Sequence, residues 1–109
     1  PPYFTTLFFG WPGGNWSPPN IEEYLYRKKL MPSGSVINVS VMGDEQLKIL
    51  TAAILLGDNV RVGTEDNPFI KGKLATNEEL VSYIADLAKS LGRKIATSSE
   101  AAKVIRLNR

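Results

Sequence analysis

Three times along this 109-residue chain, a short apolar or β-branched run is followed by chain-breaking residues and then by a capped or amphipathic helical stretch. No other feature constrains the fold as much. Alternating strand and helix units bury their apolar faces in a parallel sheet covered by helices.

The first run, Tyr3-Phe4-Thr5-Thr6-Leu7-Phe8-Phe9, is apolar on both faces and predicts a buried parallel strand. Gly10 to Asn15 is a loop by its Gly and Pro content, flanked by Trp11 and Trp16, which read as packing residues. Ser17 before Pro18 predicts an N-cap and first helical residue, with a helix running to about Lys29 and a return turn at Pro32-Ser33-Gly34. The second run, Val36 to Val41, alternates apolar and polar residues and predicts a strand. Met42-Gly43-Asp44 is then a tight loop with Asp44 as N-cap. The helix from Glu45 to Leu56 carries Leu47, Leu50 and Ile54 on one face, and Gly57 ends it. The third run, Asn59-Val60-Arg61-Val62-Gly63, is very short. Capping boxes at Thr76/Glu79 and Thr97/Glu100 open two further helices, the first closed by Gly92.

An open doubly wound sheet and a closed barrel both satisfy this order. The first strand is not followed by the G-x-G-x-x-G of a dinucleotide fold. Three strands cannot close a barrel, and β/α barrels need about 250 residues. On the barrel reading the chain is the last three units of something longer.

Composition narrows the function classes. Thirteen Lys and Arg against eleven Asp and Glu leave a net charge of +2, too little to argue for nucleic acid. The Arg27-Lys28-Lys29 cluster reads as a solvated helix C-terminus. No apolar run approaches the ~20 residues that cross a bilayer, so no membrane partner is expected. The absence of Cys excludes disulfides and thiolate chemistry and suits a cytoplasmic location. The chain also lacks His, which removes the commonest general base and zinc ligand. Chemistry done by these residues must therefore use carboxylates, Lys, Arg or Tyr.

The segment Val60-Arg61-Val62-Gly63-Thr64-Glu65-Asp66-Asn67 is the most informative. Strand alternation puts Val60 and Val62 toward the helices and Arg61 on the other face, with Glu65 in phase if the strand continues. Glu65 and Asp66 lie just beyond the strand's C-terminal end, where β/α folds place active sites. The same residues also read as a structural Arg61–Asp66 ion pair with Glu65 facing solvent. Asn38 and Ser40 share a phase and can face one pocket, or serve as interior polar residues. Gly43 and Asp44 open a helix N-terminus that can receive phosphate or simply cap.

The motifs Phe8-Phe9-Gly10-Trp11-Pro12-Gly13-Gly14, Leu56 to Asn67 and Gly92-Arg93-Lys94-Ile95-Ala96-Thr97 together resemble the C-terminal portion of the β-keto acid cleavage enzyme family. The likeness covers essentially the whole chain. It implies an α/β fold made of the C-terminal three β/α units of a TIM (β/α)8 barrel plus a terminal helix. Residues 1–109 would then be the C-terminal part of one barrel domain, and the remainder of the barrel a necessary partner. It further implies a retro-Claisen-type transferase in which a β-keto acid and acetyl-CoA give acetoacetate and a CoA thioester. Glu65 corresponds to a zinc ligand, alongside two His expected outside this chain, and Arg61 and Asp66 correspond to the catalytic pair. A homo-oligomer is also implied. Thr64 stands where the family commonly has Leu. The chain alone is expected to be inactive. The rival readings are a remnant or interaction module without catalysis, and an unrelated phosphate-binding β/α protein.

Overall fold

The computed structural model describes residues 3–10 and 17–105. The elements run β1 (Phe4–Phe9), α1 (Ile21–Leu30), β2 (Val36–Val41), α2 (Gln46–Leu55), β3 (Asn59–Arg61), β4 (Phe69–Ile70), β5 (Lys73–Leu74), α3 (Asn77–Ser90) and α4 (Ser98–Val104). Strands β1, β2 and β3 pair in that order, both pairs parallel. The fold is thus α/β, a parallel three-stranded sheet with four helices, compatible with part of a β/α barrel. The loop from Trp11 to Asn15, with Trp16, lies outside the described residues. No helix among the described residues is long and apolar enough to cross a membrane.

Strand alternation and parallel register together decide which face is covered. Leu7, Val39 and Val60 share one row, and Phe8, Ser40 and Arg61 the next. The core lies on the first side: Leu7, Phe9, Ile37, Val39 and Val41 meet Tyr24 of α1 and Ile49, Leu50 and Ala53 of α2. Phe9 and Tyr24 meet edge to face, centroids 6.3 Å apart, the arrangement that ring quadrupoles favour. β1 is not buried on both faces as its composition suggests. Phe4 and Phe8 remain 50 % and 36 % exposed, because the helices cover only one side of the sheet.

Both expected N-caps of the first two helices are displaced. Asn20, not Ser17, caps α1, its Oδ1 accepting from Glu23 N–H at 2.7 Å. Ser17 is held back in the sheet, because its carbonyl accepts from Gly10 N–H at 2.9 Å and the residue bridges to Phe9. Gly10 sits at φ +85°, and a Cβ there would lie 2.5 Å from the Met42 carbonyl oxygen, so only glycine fits this crossing of the β1 and β2 ends. Helix α2 is preceded by Glu45 without a side-chain cap, and Asp44 plays no capping role. The buried stripe of α2 is Ile49, Leu50, Ala53 and Ile54, while Leu47 is half exposed. The capping boxes at Thr76/Glu79 and Thr97/Glu100 form as expected, both bonds present in each.

The hairpin β4–β5 is not foreshadowed by the strand pattern. Phe69 pairs with Leu74 and Ile70 with Lys73, leaving a two-residue turn at Lys71 and Gly72 with φ of +49° and +81°. Two positive φ values match the twist of a two-residue hairpin, but Lys is an unusual first residue for one, and strands this short carry no periodicity.

Asp58, in the turn between α2 and β3, joins three parts of the chain. Tyr24 Oη donates to Asp58 Oδ2 at 2.5 Å, and Lys28 Nζ donates to both carboxylate oxygens at 2.9 Å. Arg93 Nη1 donates to the Asp58 carbonyl at 2.5 Å and to that of Ile54 at 3.3 Å. Burial, then the hydrogen bond to Asp58 and its charge, pushes the Tyr24 hydroxyl well above its ordinary pKa, so it stays a donor.

Candidate active site

Strand β3 ends at Arg61, two residues earlier than its sequence suggests. Glu65 is therefore not brought to Arg61 by strand phase. A turn does it: the Asp66 and Asn67 N–H groups both donate to the Gly63 carbonyl at 3.1 Å, folding the chain back over the strand end. The Asn77 side chain holds the same turn from α3, accepting from Thr64 N–H at 2.8 Å.

The fold-back places both carboxylates on one guanidinium. Arg61 Nη2 donates to Glu65 Oε1 at 2.6 Å, and Arg61 Nε lies 3.3 Å from Asp66 Oδ2. Their environments differ sharply. The Glu65 side chain is 73 % exposed and that of Asp66 is 1 % exposed. Burial raises the Asp66 carboxyl above its ordinary pKa; the Arg61 charge pulls it back and the Glu65 charge raises it again. Ser40, fully buried beside it, also holds the value down through its hydroxyl. The Asp66 carbonyl accepts from Gly43 N–H at 3.1 Å, fastening the β3 loop to the β2–α2 loop.

That bond occupies the Gly43 N–H and removes the support for a phosphate cradle there. Arg61 also stands over the Phe8 ring, 6.0 Å from its centroid, a cation–π distance. Arg61, Glu65 and Asp66 thus come together, and Ser40 joins them from β2. Asn38, two rows away on the same face, instead donates to Thr6 Oγ1 at 3.5 Å and stays apart. Of the Asn38–Ser40 pair that the sequence set on one face, only Ser40 reaches the cluster, and the Phe8 contribution was not singled out from the sequence. Its only signal is the row it shares with Arg61, which needs the strand register. Among the described residues, no group of three or more Asp, Glu, His or Cys is arranged to hold a metal ion. The cluster can offer one exposed carboxylate to a cation and keep a second, shielded one for proton transfer.

The family model of the beta-keto acid cleavage enzyme matches residues 1–107. The chain belongs to the β-keto acid cleavage enzyme family. Relatives include the 3-keto-5-aminohexanoate cleavage enzymes of Fusobacterium nucleatum subsp. nucleatum, 42 % identical over 90 residues, and of Acetoanaerobium sticklandii, 44 % identical over 81 residues. These alignments cover 81 % and 72 % of this chain, but 33 % and 30 % of the relatives. The 3-dehydrocarnitine:acetyl-CoA trimethylamine transferase of Rhizobium meliloti is 32 % identical over 109 residues, covering 99 % of this chain and 36 % of that protein. The chain therefore spans about a third of the length of these relatives. These relatives are named as cleavage enzymes and as an acetyl-CoA transferase.

Proposed function

We propose that residues 1–109 are the last three β/α units and terminal helix of a single-domain β/α barrel, completed by five units that lie outside these residues. The proposed reaction is a retro-Claisen-type acyl transfer, converting a β-keto acid and acetyl-CoA to acetoacetate and a new CoA thioester. One observation carries this reading: at the C-terminal end of a parallel strand, Arg61 holds an exposed and a buried carboxylate together. That end is where β/α enzymes assemble their sites. The acetyl-CoA in the names of two relatives supports the co-substrate.

Glu65 fits one place in a zinc ligand set, because its carboxylate is open to a cation while that of Asp66 is shut away. The remaining donors, two His, would come from elsewhere in the barrel. Zinc bound there would supply Lewis-acid polarisation of the substrate carbonyl. Asp66 accepts and returns the substrate proton at its carboxylate, a task for which a shielded carboxylate of raised pKa is suited. Arg61 orients Asp66 through Nε and steadies Glu65 through Nη2.

The test is zinc analysis of the intact protein together with an acetyl-CoA-dependent assay over a panel of β-keto acids. Stoichiometric zinc and acetoacetate formation are expected; finding neither overturns the reading. In the same protein, Glu65→Gln is expected to lose zinc on gel filtration while keeping its circular dichroism spectrum. Undiminished zinc would remove Glu65 from the ligand set.

A further inference from the structure

Behind the loop that carries Asp66 lies a second concavity that the proposed chemistry does not use. It has a volume of about 450 Å³ and is enclosed by the first turns of α2 and α3 and by the β4–β5 hairpin. Leu47, Leu50, Leu80 and Ile84 form apolar walls, and Phe69 and Tyr83 add aromatic rings. Lys71 also lines it, held at φ +49° in the hairpin turn, and Lys73 pairs with the lining residue Ile70. Volume, apolar lining and a few polar groups are those of a small-molecule site.

Its position relates it to the catalytic cluster. Val62 and Asn67, which flank the turn bearing Glu65 and Asp66, both line it, as does Asp44 beside the Gly43 that binds the Asp66 carbonyl. A ligand here therefore borders the same loops from their outer side. An acyl-CoA has a matching division of parts. Its thioester must reach the strand ends, while its long pantetheine arm leaves the adenine and phosphates outside them. An adenine ring needs an apolar, aromatic-lined slot, and its phosphates need cations nearby.

We propose that this cleft receives the adenosine 3′-phosphate 5′-diphosphate end of the acyl-CoA, with Lys71 and Lys73 of the hairpin supplying positive charge for its phosphates. The proposal rests on the acyl-transfer reading above, yet its binding test does not require turnover. The lining holds one lysine, Lys71, and one carboxylate, Asp44, and the exposed Lys73 on the adjoining strand adds a second cation beside the cleft.

The probe is adenosine 3′,5′-bisphosphate, titrated calorimetrically into the intact protein and into Lys71→Asn/Lys73→Gln. Asn is chosen because it tolerates positive φ, so the hairpin turn is preserved. Binding by the parent that weakens about ten- to a hundredfold in the variant is expected, with a matching rise in KM for acetyl-CoA and none for the β-keto acid. A second variant, Leu47→Trp, fills the cleft from a half-exposed position and is expected to weaken the same binding. Nucleotide binding lost in both variants without any acetyl-CoA turnover by the parent would support the cleft and sink the acyl-transfer reading. Acetoacetate production with an unchanged KM for acetyl-CoA in both variants would overturn the cleft and leave the reaction standing. No nucleotide binding by the parent likewise overturns it, the cleft then being closed by another part of the protein.

Discussion

Asp66→Asn in the intact protein is expected to lower kcat/KM by about 10²- to 10⁴-fold, the usual contribution of a positioned general base. Its melting temperature is expected to change little. Burial disfavours the charged form of Asp66 more than Arg61 favours it, so a neutral group of the same shape costs the fold little. This pairing of outcomes separates the two readings of the cluster. If Asp66 were only one end of a structural ion pair, its replacement would leave Arg61 to Glu65 and solvent and reduce stability with no specific effect on turnover. A stability loss of about 3 kcal/mol, as on breaking a buried pair, with turnover per folded molecule unchanged, would sink the catalytic assignment.

Asp58→Ala is expected to destabilise the intact protein by about 3–5 kcal/mol in urea unfolding. The removed carboxylate accepts from Tyr24, which is fully buried, and from Lys28, so a hydroxyl and part of an ammonium lose their partner together. The Lys28 side chain is 32 % exposed and can turn to water, which favours the lower end of that range. Tyr24→Phe, which removes only one hydrogen bond, is expected to cost about 1 kcal/mol. Equal losses in the two variants would mean that Lys28 contributes nothing. A loss under about 1 kcal/mol in Asp58→Ala would mean that the junction is dispensable.

The Asp58 junction shows why part of this molecule escapes a linear reading. Asp58 falls within the segment that carries the family resemblance, but its partners are 34 and 30 residues away. Arg93, in the other family-like segment, reaches back 35 residues to the Asp58 carbonyl. Spacing rules along a helix or strand cannot express such pairs. The displaced caps have the same origin. Ser17 and Asp44 are sound caps by composition, but tertiary hydrogen bonds between loops claimed the backbone beside them.

Local chemistry determined a good deal without help. The two capping boxes are reciprocal bonds across three residues, so Thr76/Glu79 and Thr97/Glu100 could be read directly. Val36–Val41 and the strand–helix alternation follow from side-chain periodicity, which is equally local. The proximity of Arg61, Glu65 and Asp66 was visible as sequence neighbourhood. Their inequality was not. Only the turn closed on Gly63, the β2–α2 loop beneath it and Ser40 from the adjacent strand make one carboxylate open and the other buried. Exposure and the pKa that follows from it depend on what surrounds a group in space. Residue type and spacing carry no record of that.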